Sequence, residues 1–578
     1  MKPGPAAGVY EFGPFRVDAG QRLLLRGGTP VPILPKSFDA LVALVSRSGQ
    51  LVDKDALLGV VWPEAAVEEN SLAKAISDIR KALGEDPRTP RFIVTVSGRG
   101  YRFAGPVTSV DGQPSAPRIA VLPFSNLAAE RGYEHLAIGL ADALITRLSR
   151  IPSLVVRPTG SILKYANVEK DPAGAARELN VDFVLDGSIR RSGDRIRVSV
   201  QLVGAATGGA LWADTFDERL DDIFAVEDSI STRVAGALAL RLSGEEKQSL
   251  ARHQTESPDA YQLYLKGRFF WSKRTGEGCH RAIEYFERAI ALDPRYALAY
   301  VGLADSWVML GLQVSLMGGE APQQTMPHAK AAAARALALD GLLAEVHASL
   351  GQISVFYDWD WPAAERGFLR SLALNPNYLN ARHWYAMALS HMQRHDEALT
   401  EMGRALQLDP VSLYVNGNYG RLLYFARRYD EAVAHMERTL ELDPAFAFTR
   451  FRMGIACEGA GLLDRAIDEY RLAQSLSNGG PLATAALGYA LGAAGRVADA
   501  RAVLDELLEL SARRYVSAAS IADVYLGLGE RDKALEWLST AVDERANAIG
   551  ALRVNPRYDV LRNDPRFQRL VERVWGSR

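Results

Sequence analysis

The residues of this 578-residue chain whose types and spacing could do chemistry gather near its amino-terminal end. Between residues 70 and 102 there are seven Lys/Arg and three Asp/Glu, directly after a stretch, 53–69, with one base and five acids. The bases Lys74, Arg80, Lys81, Arg99 and Arg102 are interleaved with Asn70, Ser77, Asp78 and Thr95. Guanidinium and ammonium groups spaced along one element, with short polar side chains between them, suit phosphate oxygens and base edges. Catalytic patterns are missing: no G-x-x-x-x-G-K-[ST], no G-x-S-x-G and no H-E-x-x-H occurs. His391 and His395 lie four apart, yet the repeat phase described below puts them at a turn between helices, and Cys279 and Cys457 lack metal-ligand spacing. The expectation is a binding protein, not an enzyme, with no metal and no cofactor.

The elements that must position these bases read as a small α+β domain over 8–106. YEFGPFRVD and QRLLLRGGTPVPIL alternate and break at Gly-Gly and Pro, like short strands. KSFDALVALVSRSGQ, with Phe38, Leu41, Val42, Leu44 and Val45, and then DKDALLGVVW predict two helices. ENSLAKAISDIRKALG predicts a third, with Asn70 as N-cap, Gly84 at the stop and an apolar stripe of Leu72, Ile76, Ile79 and Leu83. Burying that stripe turns Lys74, Ser77, Asp78 and Lys81 to the opposite face, with Arg80 at the flank. FIVTVSGRGYRFAGPV predicts a hairpin turning at Ser97-Gly98-Arg99-Gly100, with Tyr101 and Phe103 inward and Arg99 and Arg102 free to reach a groove or backbone. Strands, three helices and a terminal hairpin make a winged helix-turn-helix.

VDKDALLGVVWP, the ISDIRKALG helix and the terminal GYRF resemble the DNA-binding domain of the OmpR/PhoB response-regulator family. The resemblance implies double-stranded DNA as partner, a third helix in a major groove about 12 Å wide, and a homodimer on tandem half-sites. It also implies RNA polymerase as a further partner, through the loop PEAAVEE at 63–69. The family often places bases where Asn70, Ser77 and Asp78 stand, so fewer phosphate contacts are expected here. No receiver domain is expected ahead of the winged helix, and no membrane helix is expected in 104–118 after it.

The carboxy-terminal half repeats. Ala386, Gly420, Gly454, Gly488 and Ala522 fall at intervals of 34, as do Ala398, Ala432, Ala466, Ala500 and Ala534. Pro294, Pro376, Pro410 and Pro444 close individual units. Small residues at two fixed places let antiparallel helices approach, and Asp-Pro or Asn-Pro stops the second helix. The pattern resembles the tetratricopeptide repeat, with about eight units over 258–546 and an insertion, LQVSLMGGEAPQQ, in the second. The tail, 547–578, is expected to cap the open end of this all-α solenoid. The resemblance implies a concave groove for an unidentified protein or peptide, lined here by Tyr414, Arg421, Tyr424, Phe448, Phe451 and Tyr489.

After a linker, 107–117, residues 118–242 alternate strands and helices as an α/β domain. IAVLPF, VDFVLDGSIRR and LWADTFD resemble the TolB amino-terminal-like domain, which implies no catalysis and leaves a spacer, dimerisation surface or ligand site open. Net charge runs from 14 Lys/Arg against 11 Asp/Glu in 1–106, through 16 against 19 in 107–248, to 37 against 39 beyond. No apolar run of about 18 residues occurs, the first residues lack a signal-peptide core, and the two cysteines make no disulfide framework, so a cytoplasmic protein is expected. Together these readings predict a one-component DNA-binding transcription regulator whose repeats bind a partner or pass on a signal. The alternative is an interaction scaffold whose winged helix no longer reads DNA, and a third reading is an accessory to a cyclase.

Overall fold

The computed structural model describes residues 9–18, 23–26, 29–46, 48, 51–62, 69–85, 90–96, 99–105, 107–109, 116–126, 134–166, 168, 171–193, 195–205, 207–219, 223–238, 255–312 and 319–576. They fall into two compact units, Met1–Ala116 and Pro117–Arg578.

The first unit is a winged helix. Strands β1 (Val9–Phe12), β2 (Phe15–Asp18), β3 (Leu23–Arg26) and β4 (Thr29–Pro30) form an antiparallel sheet with β8 (Thr108–Ser109) in the order β4-β3-β2-β1-β8. Helices α1 (Pro35–Val45), α2 (Lys54–Val61) and α3 (Glu69–Leu83) follow, and β5 (Leu51–Asp53), β7 (Gly100–Phe103) and β6 (Ile93–Val96) make a second sheet. The core holds Phe12, Phe15, Phe92 and Phe103, with Phe12 and Phe103 edge to face at 4.8 Å. Helix α3 buries Leu72, Ile76, Ile79 and Leu83, as the stripe predicted. It ends where Gly84 turns to φ +67°, the Gly84 N–H bonding Lys81 O and the Glu85 N–H bonding Arg80 O. That pairing satisfies two orphan carbonyls. The start differs from expectation: the helix is already formed at Glu69, so Asn70 lies inside it and is not its cap.

The second unit begins with a mixed sheet. β9 (Arg118–Val121) runs parallel to β11 (Val155–Val156) and β12 (Phe183–Ser192); β12, β13 (Arg195–Gly204) and β14 (Ala210–Arg219) continue antiparallel, and β10 (Ser125–Asn126) pairs β12. Helices α4 (Glu134–Leu148), α5 (Thr159–Ile162), α6 (Pro172–Glu178) and α7 (Ile223–Ala237) complete this domain.

Then come eight antiparallel helix pairs among the described residues, from Pro258–Ser272 to Arg531–Asp543. Between the helices of a pair one residue takes left-handed backbone: Trp359, Gln393, Arg427, Gly461, Gly495 and Gly529, again 34 apart. The small residues sit where helices nearly touch; a Cβ on Gly454 would lie 2.4 Å from the Tyr470 ring. The insertion's residues 313–318 lie outside the described residues.

The middle domain is docked on this array. The buried Arg157 guanidinium donates to Leu179 O and Asn180 O at 2.8 and 2.7 Å, and to Gln407 O at 3.1 Å and Leu408 O in the fourth pair. Arg268 of the first repeat helix donates to both Asp142 carboxylate oxygens of α4 at 2.9 and 3.1 Å. Asn377 reaches Leu154 O at 3.1 Å.

The tail departs from the expected end cap. Two short turns, Asn547–Ala551 and Pro556–Leu561, and a helix, Pro565–Trp575, do meet the last repeat, through Arg573 on Asp543 and Arg566 on Asp532. They also reach back along the array: Asn547 donates to Leu312 O at 2.9 Å and Trp575 stacks on Trp361 at 3.7 Å, while Arg545, just ahead of the tail, lies over Tyr357 and Trp359. A cap touches its neighbour alone; this segment spans the array because its Asn547, Arg557 and Trp575 side chains find partners far upstream.

His391, expected at a turn, is the last residue of Leu379–His391, and His395 opens the next helix; no metal-binding group of three acids, His or Cys exists among the described residues. His391 is fully buried against Phe356, Trp361 and Phe425, with both ring nitrogens unpartnered. Burial, with Arg421 and His395 nearby, pushes its pKa down to about 3. The unfolded chain therefore takes up a proton below about pH 6.5 that the fold refuses, and stability falls as pH drops. His391→Leu is expected to gain on the natural chain as pH falls, by about 2 kcal/mol at pH 5. Urea unfolding followed by circular dichroism at pH 7 and pH 5 measures that difference.

Candidate nucleic-acid interface and repeat groove

On α3, Lys74, Ser77 and Lys81 are exposed, opposite the buried stripe. Asp78 is not. It is half-buried and its carboxylate accepts the Ser37 hydroxyl of α1 at 3.4 Å, because position 78 sits at the edge of the stripe and turns toward the neighbouring helix. Arg80 spans from the helix to the wing: its Nη2 donates to Ile93 O and to Thr95 Oγ1, both at 2.9 Å. Two residues expected at DNA are thus bonded to each other.

Glu85 strengthens the same junction, its carboxylate accepting the Phe92 N–H at 2.6 Å and the Ile93 N–H at 3.1 Å. Neither the Arg80–Thr95 bond nor the Glu85 clamp was foreseen; an acid directly past the helix-ending Gly84 was the available signal. In the wing, Tyr101 and Phe103 are buried while Thr95, Arg99 and Arg102 are exposed. Gly100 is required by close approach, since a Cβ there would lie 2.1 Å from Val52 O of β5. The Asn70 side chain, the expected turn residues Ser97 and Gly98, and 63–68 of the PEAAVEE loop lie outside the described residues.

The expected groove residues meet the chain's own tail or pack within the array. Arg557, nearly buried, donates to Glu458 through Nε and Nη2 at 2.8 and 2.6 Å and to Asp523 through Nη1 at 2.6 Å. Its guanidinium lies 4.2 Å over Tyr489. Tyr558 donates to Asp523 at 3.1 Å, and the Tyr424 hydroxyl lies 3.4 Å from both Glu458 and Asn555. Phe448 and Phe451 are buried beneath the Arg452 guanidinium, at 4.6 and 5.2 Å. Arg421 lies over Phe425, its pKa pushed down to about 10 by burial. Tyr414 packs on Phe446 and Phe448 and borders a cavity shared with the middle domain. An open aromatic groove was expected; a filled one is found, because Glu458 and Asp523 offer carboxylates that Arg557 neutralises.

With this geometry in hand, residues 28–103 match the family described as transcriptional regulatory protein, C terminal. Residues 115–233 match the HilA/YgeH-like transcriptional regulator, second domain, where the strand segments had pointed to the TolB amino-terminal-like domain. Residues 268–313 and 420–481 match the tetratricopeptide repeat. The class so defined is a transcriptional-regulator-type DNA-binding domain joined to tetratricopeptide repeats, and the matched families are not enzymatic ones.

Within that class the chain is similar to the transcriptional regulator HilA of Salmonella typhimurium, 25% identical over 393 residues that make up 66% of this chain and 68% of HilA. It is 35% identical over 192 residues to a putative adenylate cyclase 3 of Rhizobium meliloti, spanning about a third of each (33% and 32%). The RstA DNA-binding domain of Klebsiella pneumoniae, solved in complex with the RstA box, is 34% identical; the alignment covers 17% of this chain and 96% of that one, with a TM-score of 0.16. Among the described residues no helix is long and apolar enough to cross a membrane.

Arg557→Ala would strand Glu458 and Asp523 in a buried site without their cation, a loss expected to cost about 3–5 kcal/mol. The thermal midpoint followed by far-ultraviolet circular dichroism should fall. Replacing all three groups together, Arg557→Met with Glu458→Gln and Asp523→Asn, should recover most of it.

Proposed function

We propose that the chain is a one-component transcription regulator that reads double-stranded DNA through α3 and the wing. The observation that carries this reading is the exposed face of α3: Lys74, Ser77 and Lys81, at i, i+3 and i+7, opposite a fully buried stripe. At 1.5 Å per residue they span about 10 Å, a few base pairs of major groove. Asn70 extends the same helix toward its start. Arg99 and Arg102 on the wing supply phosphate or neighbouring-groove contacts. Arg80 and Thr95 set the angle between helix and wing, and Asp78 fixes α3 on α1; these three act through position. RNA polymerase contact by the 63–69 loop, pairing of two copies on tandem half-sites, a cytoplasmic location and kinship of the middle domain with TolB amino-terminal-like domains belong to the proposal on resemblance alone.

The middle domain and repeats form one docked body, which we assign the role of receiving a signal or partner. Because the tail covers Tyr424 and Tyr489, a protein partner would engage a surface other than that stretch, or displace the tail.

Selection from a random duplex pool with the full-length chain at low salt tests the regulator reading. A motif with paired half-sites is expected; no enrichment would sink it in favour of the scaffold. On the selected site, Lys74→Ala and Lys81→Ala should each flatten the dependence of log K on log salt by about 0.9, one phosphate contact apiece. Arg80→Ala should weaken binding while leaving that slope unchanged, since its guanidinium is spent on Ile93 and Thr95. Fluorescence anisotropy across a salt series separates the two behaviours.

A further inference from the structure

Where the middle domain meets the repeats, the second unit forms a half-open cavity of about 620 Å³. That size and a position at a domain joint are typical of small-ligand sites. Residues from α4 and α5, from the turn after the first repeat helix, and from the next four repeats all line it. Its walls are firmly held, by Arg268 on Asp142 and by Arg157 on the carbonyls of the fourth pair.

Four charges in this wall are neutralised where they stand, Arg268 with Asp142 and Lys164 with Glu178. Among the described residues six others in the wall make no ion pair, Lys273, Arg274, Asp305, Glu345, Asp409 and Asp443, and of these Arg274, Asp305 and Glu345 act on one another. The Arg274 guanidinium lies between two aromatic faces, 5.2 Å from the Trp271 ring and 5.0 Å from the Tyr414 ring, and forms no ion pair among the described residues. Asp305 accepts the Ser349 hydroxyl at 2.5 Å and meets no cation within ion-pair distance among the described residues. Glu345 uses its backbone carbonyl toward Ser349, while its carboxylate makes no hydrogen bond or ion pair among the described residues.

The three groups feel one another across the space. Burial raises the Asp305 carboxyl to about 6; the Ser349 bond, Arg268 and Arg274 draw it down and Glu345 pushes it up. His383, also in the wall, is held near 3 by burial and by Arg274 and Arg452, so it brings no competing charge at neutral pH.

Charges of opposite sign in one cavity wall, beyond ion-pair distance of one another and beside aromatic faces, call for a molecule that carries the complementary pair. We propose that this cavity binds a small zwitterion, an amino acid or a short peptide, with its ammonium between Asp305 and Glu345 and its carboxylate on Arg274. Trp271, Tyr414 and Trp384 supply faces for the body between the two ends. Neither the DNA reading nor the tail is needed for this assignment, so its failure and theirs are separable.

Thermal-shift and tryptophan-fluorescence titrations of the full-length chain test it with three probe sets. These are free amino acids, free di- and tripeptides, and the same compounds N-acetylated or C-amidated. One free set should raise the midpoint, which also tells single amino acids from peptides, and either cap should weaken binding by at least about tenfold, the order of one charge-assisted contact. Arg274→Gln should weaken free ligands while leaving the C-amidated ones unchanged. Asp305→Asn, which can still accept from Ser349, should do the same for the N-acetylated ones. Circular dichroism spectra matching the natural chain establish that both variants fold. No shift with any free set, or equal binding of capped and free forms, would overturn the proposal.

Discussion

A single buried guanidinium fixes the second unit. Arg157 is 1% exposed, and burial pushes its pKa down despite the Asp409 carboxylate nearby. The charge is tolerable there because its N–H groups reach the carbonyls that α6 and the helix His395–Leu408 leave unpaired at their ends. Helix carboxy-termini carry partial negative charge and orphan acceptors, so one cation serves two termini at once. With Arg268 on Asp142, it makes the middle domain a wall of the repeat array. The cavity at that joint keeps its shape because neither wall can slide without exposing a buried charge.

The repeats supply the second constraint. A left-handed residue every 34 positions turns each helix onto its partner, and the small residues set how closely they pack. Such curvature leaves a concave side, and here the chain fills part of it with its own Arg557, Tyr558 and Trp575. What remains open lies toward the middle domain, bordered by Tyr414, Arg274 and Asp305. The open part of this face is thereby a confined hollow and not a long groove.

Features set by local rules were legible in the sequence, and features set by distant partners were not. The α3 stripe, its stop at Gly84 and the 34-residue period follow from helix geometry and close packing, which leave a mark at each position. The outward turn of Lys74, Ser77, Lys81, Arg99 and Arg102 follows from the same periodicity. Asp78 and Arg80 departed from their reading because Ser37 and Thr95, 41 and 15 residues away, take them up. A helical wheel shows which way a side chain points and cannot show what waits there. The tail was read as a cap for the same reason: nothing in RVNPRYD announces Glu458, 99 residues upstream of Arg557. The charges around Arg274 were silent too, since they become a set only when the first three repeats curl around them.

Solenoids are usually chains of nearest neighbours, in which each repeat knows only the next. The tail breaks that rule: Trp361 and Val574 are 213 residues apart and joined by a hydrogen bond, and Asn547 reaches 235 residues back to Leu312. Those links tie early repeats to the last ones and turn a string of local equilibria into one cooperative body. They also set an order on biosynthesis. The array cannot close until residues 547–575 have left the ribosome, so a chain that stopped short of them would keep Glu458 and Asp523 bare and hold its repeats in a looser, less cooperative state.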